Sequence, residues 1–294
     1  MGNSVLARRR LGKSLRDGRV GLGLTLQQAG RSIRRSASVV QRLERGLAAQ
    51  VGDGEIEGLC RVYEFDAEQT AEVLALAAES EEINWWSEYR ELMSREVATY
   101  VGLEDAACRM TSYEGQLVPG LLQTPAYALT LVQTGHQSES PETHARRVAL
   151  RMRRQACLTR EDDPLILDVI IHESITRTWV GGTRVMSEQL ERLAEMSTRP
   201  NITLRILPFV AGYPLGREDG PFVLLEFGAD NRGRVIEAPL IYIENFVREL
   251  YLYEPEAIRY HRESFETLRR HSLDPDASRA LLRQAAKDCA NKGP

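Results

Sequence analysis

The chain has 294 residues, room for one to three domains, and its 43% hydrophobic and 27% charged residues match an ordinary globular protein. No run approaches the ~18 uncharged apolar residues of a membrane span, and no apolar stretch with a cleavage site follows Arg8, Arg9 and Arg10, which argues against a signal peptide. The net charge of −4 divides unevenly: residues 1–52 carry eleven lysines and arginines against two acids, a net of +9, leaving −13 for the rest.

A basic front on an acidic body points to a polyanion partner for the front alone. Cys60, Cys108, Cys157 and Cys289 lie far apart, with no CxxC and no neighbouring histidines. That usage fits reduced, buried thiols in a cytoplasmic protein.

Leu11 and Leu15, one helical turn apart, predict a short amphipathic helix with Lys13, Arg16 and Arg19 off its apolar face. Gly18, Gly21 and Gly23 weaken it and then end it. Thr25 is an N-cap candidate for a second helix, with Ala29 and Ile33 facing inward. A turn through Arg34 and Arg35 follows, and Ser36 is expected to cap a helix from Ala37 to Arg45. On that helix Val40 and Leu43 share one face, while Ala37, Ser38, Gln41, Arg42 and Arg45 share the other. Gly46 stands where a helix end calls for positive φ. Two short helices joined by a tight turn, the second polar outside, form a helix-turn-helix whose second helix is sized for the major groove.

Gly23-Leu24-Thr25, Ala29, Ser36, Val40 and Arg42-Leu43-Glu44-Arg45-Gly46 resemble the Cro/repressor-like (XRE) helix-turn-helix family. The resemblance implies a lambda-repressor-like all-α bundle that binds double-stranded DNA as a homodimer. It places Ala37, Ser38, Gln41 and Arg42 at or near base edges and Arg45 at the backbone. The DNA-binding set is Gln27, Ser36, Ala37, Ser38, Gln41, Arg42 and Arg45, with helix 37–45 in the major groove. Glu44 matches the family's acid that pairs with an arginine of the first helix, here Arg16 or Arg19. This chain also departs from the pattern. Leu26 occupies the position of the phosphate-bonding glutamine, Gln27 is displaced by one, and Gly30 and Arg34 replace the usual alanine and glycine. Arg34 at the turn implies a left-handed or adjusted backbone, unfavourable for a residue with a Cβ.

Asp53 is expected to cap a fourth helix through Ile56, Leu59, Cys60 and Tyr63, and Ala67 to Ala78 a fifth. These complete a first domain over residues 1–79, bounded by the polar Glu79-Ser80-Glu81-Glu82. A second domain spans 84–288. It opens on a helix with Trp85, Trp86, Tyr89, Leu92 and Met93, an aromatic stripe suited to core or interdomain packing or to the wall of a ligand pocket. A weakly alternating strand, 108–113, follows, then a turn at Val118-Pro119-Gly120. Helices begin at Thr124-Pro125 and Ser140-Pro141, the latter carrying Arg146, Arg147, Arg151, Arg153 and Arg154 on a solvated face. Strands are predicted at 165–171, 202–207, 222–227, 241–244 and 249–252, with helices at 187–197, 255–270 and 275–288. This irregular mixture predicts an α+β domain, so the fold class is multidomain: an all-α bundle followed by α+β.

Ser112-Tyr113-Glu114, Val118-Pro119-Gly120-Leu121-Leu122-Gln123-Thr124, Leu158-Thr159-Arg160, Leu207-Pro208-Phe209, Gly220-Pro221-Phe222 and Leu225-Glu226-Phe227 occur in the order of a second family. They resemble the actinobacterial domain DUF5753, which usually follows an XRE helix-turn-helix. The resemblance implies a transcriptional regulator of development and secondary metabolism, often encoded beside a small DUF397 or BldB-like partner protein. It leaves the second domain to dimerise, to sense an unidentified small-molecule effector or to bind that partner. An alternative reading makes DNA binding secondary to the partner protein.

Enzymatic motifs are missing. His172-Glu173 is not followed by the second histidine of a zinc motif, 212–220 lacks the lysine and serine or threonine of a phosphate loop, and there is no GxSxG. The expectation is a non-enzyme with no cofactor and no metal.

Overall fold

A computed structural model describes residues 3–47, 52–217, 220–229, 233, 235–244 and 249–291. The chain forms two compact units, one of residues 1–90 and 98–106, the other of 91–97 and 107–294.

The first unit is helical. Its helices are α1 (Ser4–Gly21), α2 (Leu26–Ser32), α3 (Ala37–Glu44), α4 (Asp53–Val62) and α5 (Ala67–Ser80), with a 3-10 helix at Trp85–Leu92 and most of α6 (Arg95–Ala106). α1 is longer than its leucines suggested. Asn3 caps it, its side chain accepting from the N–H groups of Val5 and Leu6. Gly18 stays inside the helix because a Cβ there would meet the Phe65 ring at 2.4 Å. Leu11, Leu15, Ala29, Val40, Leu43, Ile56 and Leu59 are buried in one core. Each full-size aliphatic side chain among them contributes roughly 1.5–3 kcal/mol.

α4 begins one residue earlier than expected, with Gly52 as N-cap and Asp53, the expected cap, as the first helical residue. α6 was not anticipated. Its Val97-Ala98-Thr99-Tyr100-Val101 run is β-branched and aromatic and hides a helical period. Ser94 Oγ accepts from the Val97 N–H (3.1 Å) and starts it. Trp85 and Trp86 of the aromatic stripe pack within this unit. Trp86 is buried, and Trp85 Nε1 donates to Asp105 (3.1 Å). Gly102 lies where a Cβ would meet Val5 and Trp86.

The second unit is built on one mixed sheet. Its strands are β1 (Arg109–Glu114), β2 (Ile166–His172), β3 (Ile202–Leu207), β4 (Phe222–Glu226), β5 (Leu240–Ile243) and β6 (Leu250–Leu252). The order is β3-β2-β1-β4-β5-β6. β1 is parallel to β2 and β2 to β3, whereas β1–β4, β4–β5 and β5–β6 are antiparallel. Helices α7 (Pro125–Gly135), α8 (Pro141–Arg154), α9 (Gly182–Met196), α10 (Pro255–His271) and α11 (Pro275–Asn291) complete it. Thr124 and Ser140 cap α7 and α8 with proline in the first turn, as read from the sequence. α9 starts five residues earlier than read, behind Gly181 in the left-handed region. The β3 edge is closed by the chain entering α11, where Leu273 N–H donates to Ile206 O (2.9 Å) and Ser278 Oγ accepts from Ile206 N–H (2.9 Å). The α-bundle followed by α+β matches the expected fold class.

Candidate nucleic-acid interface

The helix-turn-helix is α2, the turn and α3. Thr25 and Gln28 form a capping box: Thr25 Oγ1 accepts from the Gln28 N–H (3.2 Å) and Gln28 Oε1 accepts from the Thr25 N–H (2.8 Å). Gln27 and Gln28 are both exposed; with Gln28 held at the cap and Leu26 packed on the core, Gln27 is the glutamine of the first turn not used in capping.

α2 ends in a Schellman motif, with Arg34 N–H donating to Arg31 O (3.1 Å) and Arg35 N–H to Gly30 O (2.8 Å). Arg34 takes the left-handed position of that motif at φ 57°. A Cβ on Gly30 would lie 2.7 Å from Arg35 O, so the return of the turn over α2 requires glycine there. A left-handed non-glycine residue costs roughly 1–2 kcal/mol. Arg34→Gly is therefore expected to stabilise the unit by about 1 kcal/mol, read as a higher midpoint in urea denaturation.

α3 is anchored by buried Val40 and Leu43, while Ser38, Gln41, Arg42 and the C-cap Arg45 are exposed and Ala37 is half-buried. Ser36 occupies the N-cap position, but its side chain makes no capping bond. Its hydroxyl pairs instead with that of Ser38 (2.8 Å). The expected cap is thus correct in place and wrong in chemistry, because an adjacent hydroxyl competes for Ser36. At the other end, Gly46 at φ 65° closes a second Schellman motif, with Leu47 N–H donating to Arg42 O (2.8 Å).

Two features missed or left open in the sequence hold α3 in place. Arg19 grips Glu44 with two parallel bonds, Nε to Oε1 (2.6 Å) and Nη2 to Oε2 (2.8 Å), and its Nη1 donates to Leu24 O (2.7 Å). The partner is Arg19 and not Arg16, and the paired carboxylate holds the Arg19 guanidinium above its ordinary range despite burial. Gly12 lets α1 cross the end of α3, since a Cβ there would lie 2.6 Å from Leu43 O. The only sequence signal for Gly12 was a glycine inside an amphipathic helix. Arg35 pairs with Glu55, and Arg16, Arg31, Arg34, Arg42 and Arg45 are exposed.

In the second unit, the arginines of α8 are largely committed within the domain. Arg147 makes two 2.6 Å bonds to Glu139, Arg146 pairs with Glu91, and Arg151 donates to Gln123 Oε1 (2.8 Å). His172 contacts Ser174 Oγ through Nδ1 (2.8 Å), and burial pushes its imidazole below the usual range. Glu173 accepts from the Phe209 N–H (2.9 Å) and from Arg177 (2.7 Å). These bonds hold its carboxyl below the usual range despite burial. Among the described residues no three potential metal ligands cluster, and no helix is long and apolar enough to cross a membrane.

Burial, aided by the like charge of Glu244, pushes the Glu114 carboxyl from near 4.5 up to about 8. The unfolded chain ionises this group from about pH 4.5 upward while the folded chain keeps its proton until about pH 8. Its contribution to stability therefore falls across that window and is flat above it. Glu114→Gln is expected to stabilise the protein more at pH 8 than at pH 5, measured by denaturation at both.

The family model described as a helix-turn-helix domain matches residues 10–73. The model described as a domain of unknown function (DUF5753) matches residues 97–284. Comparison with curated proteins and with solved structures gave no match. The chain belongs to the DUF5753 family and carries a helix-turn-helix domain ahead of the DUF5753 domain.

Proposed function

We propose that the chain is a sequence-specific DNA-binding transcriptional regulator, not an enzyme. The observation that carries this reading is α3 itself. Its apolar side is locked by Val40, Leu43 and the Arg19–Glu44 pair, and its free side offers Ser38, Gln41, Arg42 and Arg45. Gln41 is suited to adenine, which presents a donor and an acceptor together. Arg42 is suited to guanine, whose O6 and N7 accept from a guanidinium fork. Arg45, Gln27 and Ser36 are suited to phosphates, positioning the helix without reading sequence. A homodimer on an inverted repeat sets its two recognition helices about 34 Å apart. The second domain pairs the two copies, or takes the input as a ligand or a small partner protein.

Capture of genomic fragments by the full-length chain tests the reading. One enriched inverted repeat is expected, with affinity falling steeply as salt rises because cations on the protein displace counterions from the phosphates.

A further inference from the structure

The sheet of the second domain has two edges that are finished differently. The β3 edge is closed by the chain entering α11. β6 (Leu250–Leu252) is the open edge, and among the described residues its backbone groups make no bond outside the ladder with β5. An open edge is a template for another strand, and proteins guard it with lysine, proline or an inward charge. β6 is Leu-Tyr-Leu and carries none of these. Leu252 packs on the core beneath α10, while Leu250 and Tyr253 are each 39% exposed. On the other face Tyr251 donates its hydroxyl to Glu96 O (2.8 Å), and its ring stacks on Tyr253 with the planes 6° apart.

Symmetry singles out an occupant. A two-fold axis sets identical strands antiparallel, so an edge that pairs with itself must complement its own reverse. Turned about Tyr251, this segment does so. Leu250 meets Leu252, Glu249 meets Tyr253, and the opposite charges of Arg248 and Glu254 come together. Side chains directly opposite on antiparallel strands are the pairs that stabilise a sheet, and like charges there would weaken it.

We propose that β6 pairs antiparallel with β6 of a second copy about a two-fold axis at Tyr251, joining two six-stranded sheets into one continuous sheet. On the α10 face Leu250 of each copy lies opposite Leu252 of the other. On the other face Tyr251 meets Tyr251, and Glu249 lies opposite Tyr253. The backbone bonds of the new ladder hold the copies together, and these side-chain pairs fix the register. The proposal gives a surface to the pairing of two copies under the proposed function and rests on that part of it, not on recognition of DNA by α3.

The test is sedimentation of the full chain over a range of concentrations with no DNA present, so failure of sequence recognition by α3 leaves its outcome unchanged. A reversible monomer–dimer equilibrium is expected, weak because the edge is short. Tyr253→Glu sets carboxylates against each other on both sides of the axis and is expected to weaken the dimer at least tenfold. Tyr253→Lys sets opposite charges together at the same place and is expected to keep or tighten it. Leu250→Lys puts a guarding charge on the edge and is expected to weaken the dimer at least tenfold. Unfolding midpoints show that each variant is folded. A wild-type chain that stays monomeric at millimolar concentration overturns the proposal and leaves the edge to a different protein. So does a dimer unaffected by Leu250→Lys, or one weakened alike by Tyr253→Glu and Tyr253→Lys.

Discussion

Glu44→Ala is expected to cost the N-terminal unit about 3 kcal/mol and to abolish DNA binding through loss of fold. The Glu44 and Arg19 side chains are only 5% and 13% exposed, and their two bonds are short and parallel. Surface ion pairs are worth ~0–1 kcal/mol because water screens them and their side chains pay entropy to meet. Truncating one partner of a buried pair instead strands the other charge, a cost of ~3–5 kcal/mol. Arg19 keeps only its bond to Leu24 O, which lowers the local cost toward the bottom of that range. Glu44→Gln retains an acceptor and the volume and is expected to lose about half as much. Urea denaturation followed by circular dichroism reads both. A loss below about 1 kcal/mol for Glu44→Ala would class the pair with solvated ones.

Gly12→Ala carries the second large effect, and here the local and tertiary terms oppose. Alanine favours a helix interior over glycine by ~1 kcal/mol. At Gly12, however, the new methyl lies 2.6 Å from Leu43 O and 2.7 Å from Glu44 O, backbone atoms that move only if α3 moves. Overpacking of this kind costs ~1–3 kcal/mol, and the contact is at its severe end. A net loss of about 2 kcal/mol is expected, together with weaker DNA binding at temperatures where the variant is still folded. Gly21→Ala is the control. It lies at the end of the same helix with nothing within 4 Å of its Cβ position, so propensity alone acts and a small gain is expected. A neutral or stabilising Gly12→Ala would show that α3 slides freely on α1.

The elements of the helix-turn-helix were legible because their signals are local. Thr25 as an N-cap, the Leu11–Leu15 and Val40–Leu43 spacings, and Gly46 at the helix end each act within one or two turns of chain. What escaped the sequence is what depends on a second segment. Gly12 and Gly30 look like helix weaknesses until the backbone that presses on them is in place. Ser36 reads as a cap until Ser38 competes for its hydroxyl. The choice of Arg19 over Arg16 is settled by where Glu44 comes to rest and by the nearby Leu24 carbonyl. In the second domain, β2 reads as one buried strand. Only its register with β3 and the packing of α10 separate the buried Ile170 from the half-buried Asp168 two residues earlier on the same face.

Under the proposed function, the free face of α3 reads DNA sequence. Its most direct test is the Gln41→Ala/Arg42→Ala chain, folded as judged by its denaturation midpoint, on the repeat enriched by the wild-type chain. Each good base contact is worth ~1–3 kcal/mol. A loss of roughly 100-fold or more on that repeat is predicted, with binding to unrelated DNA nearly unchanged. Retention of the wild-type footprint and affinity by the folded double variant would overturn that role for α3.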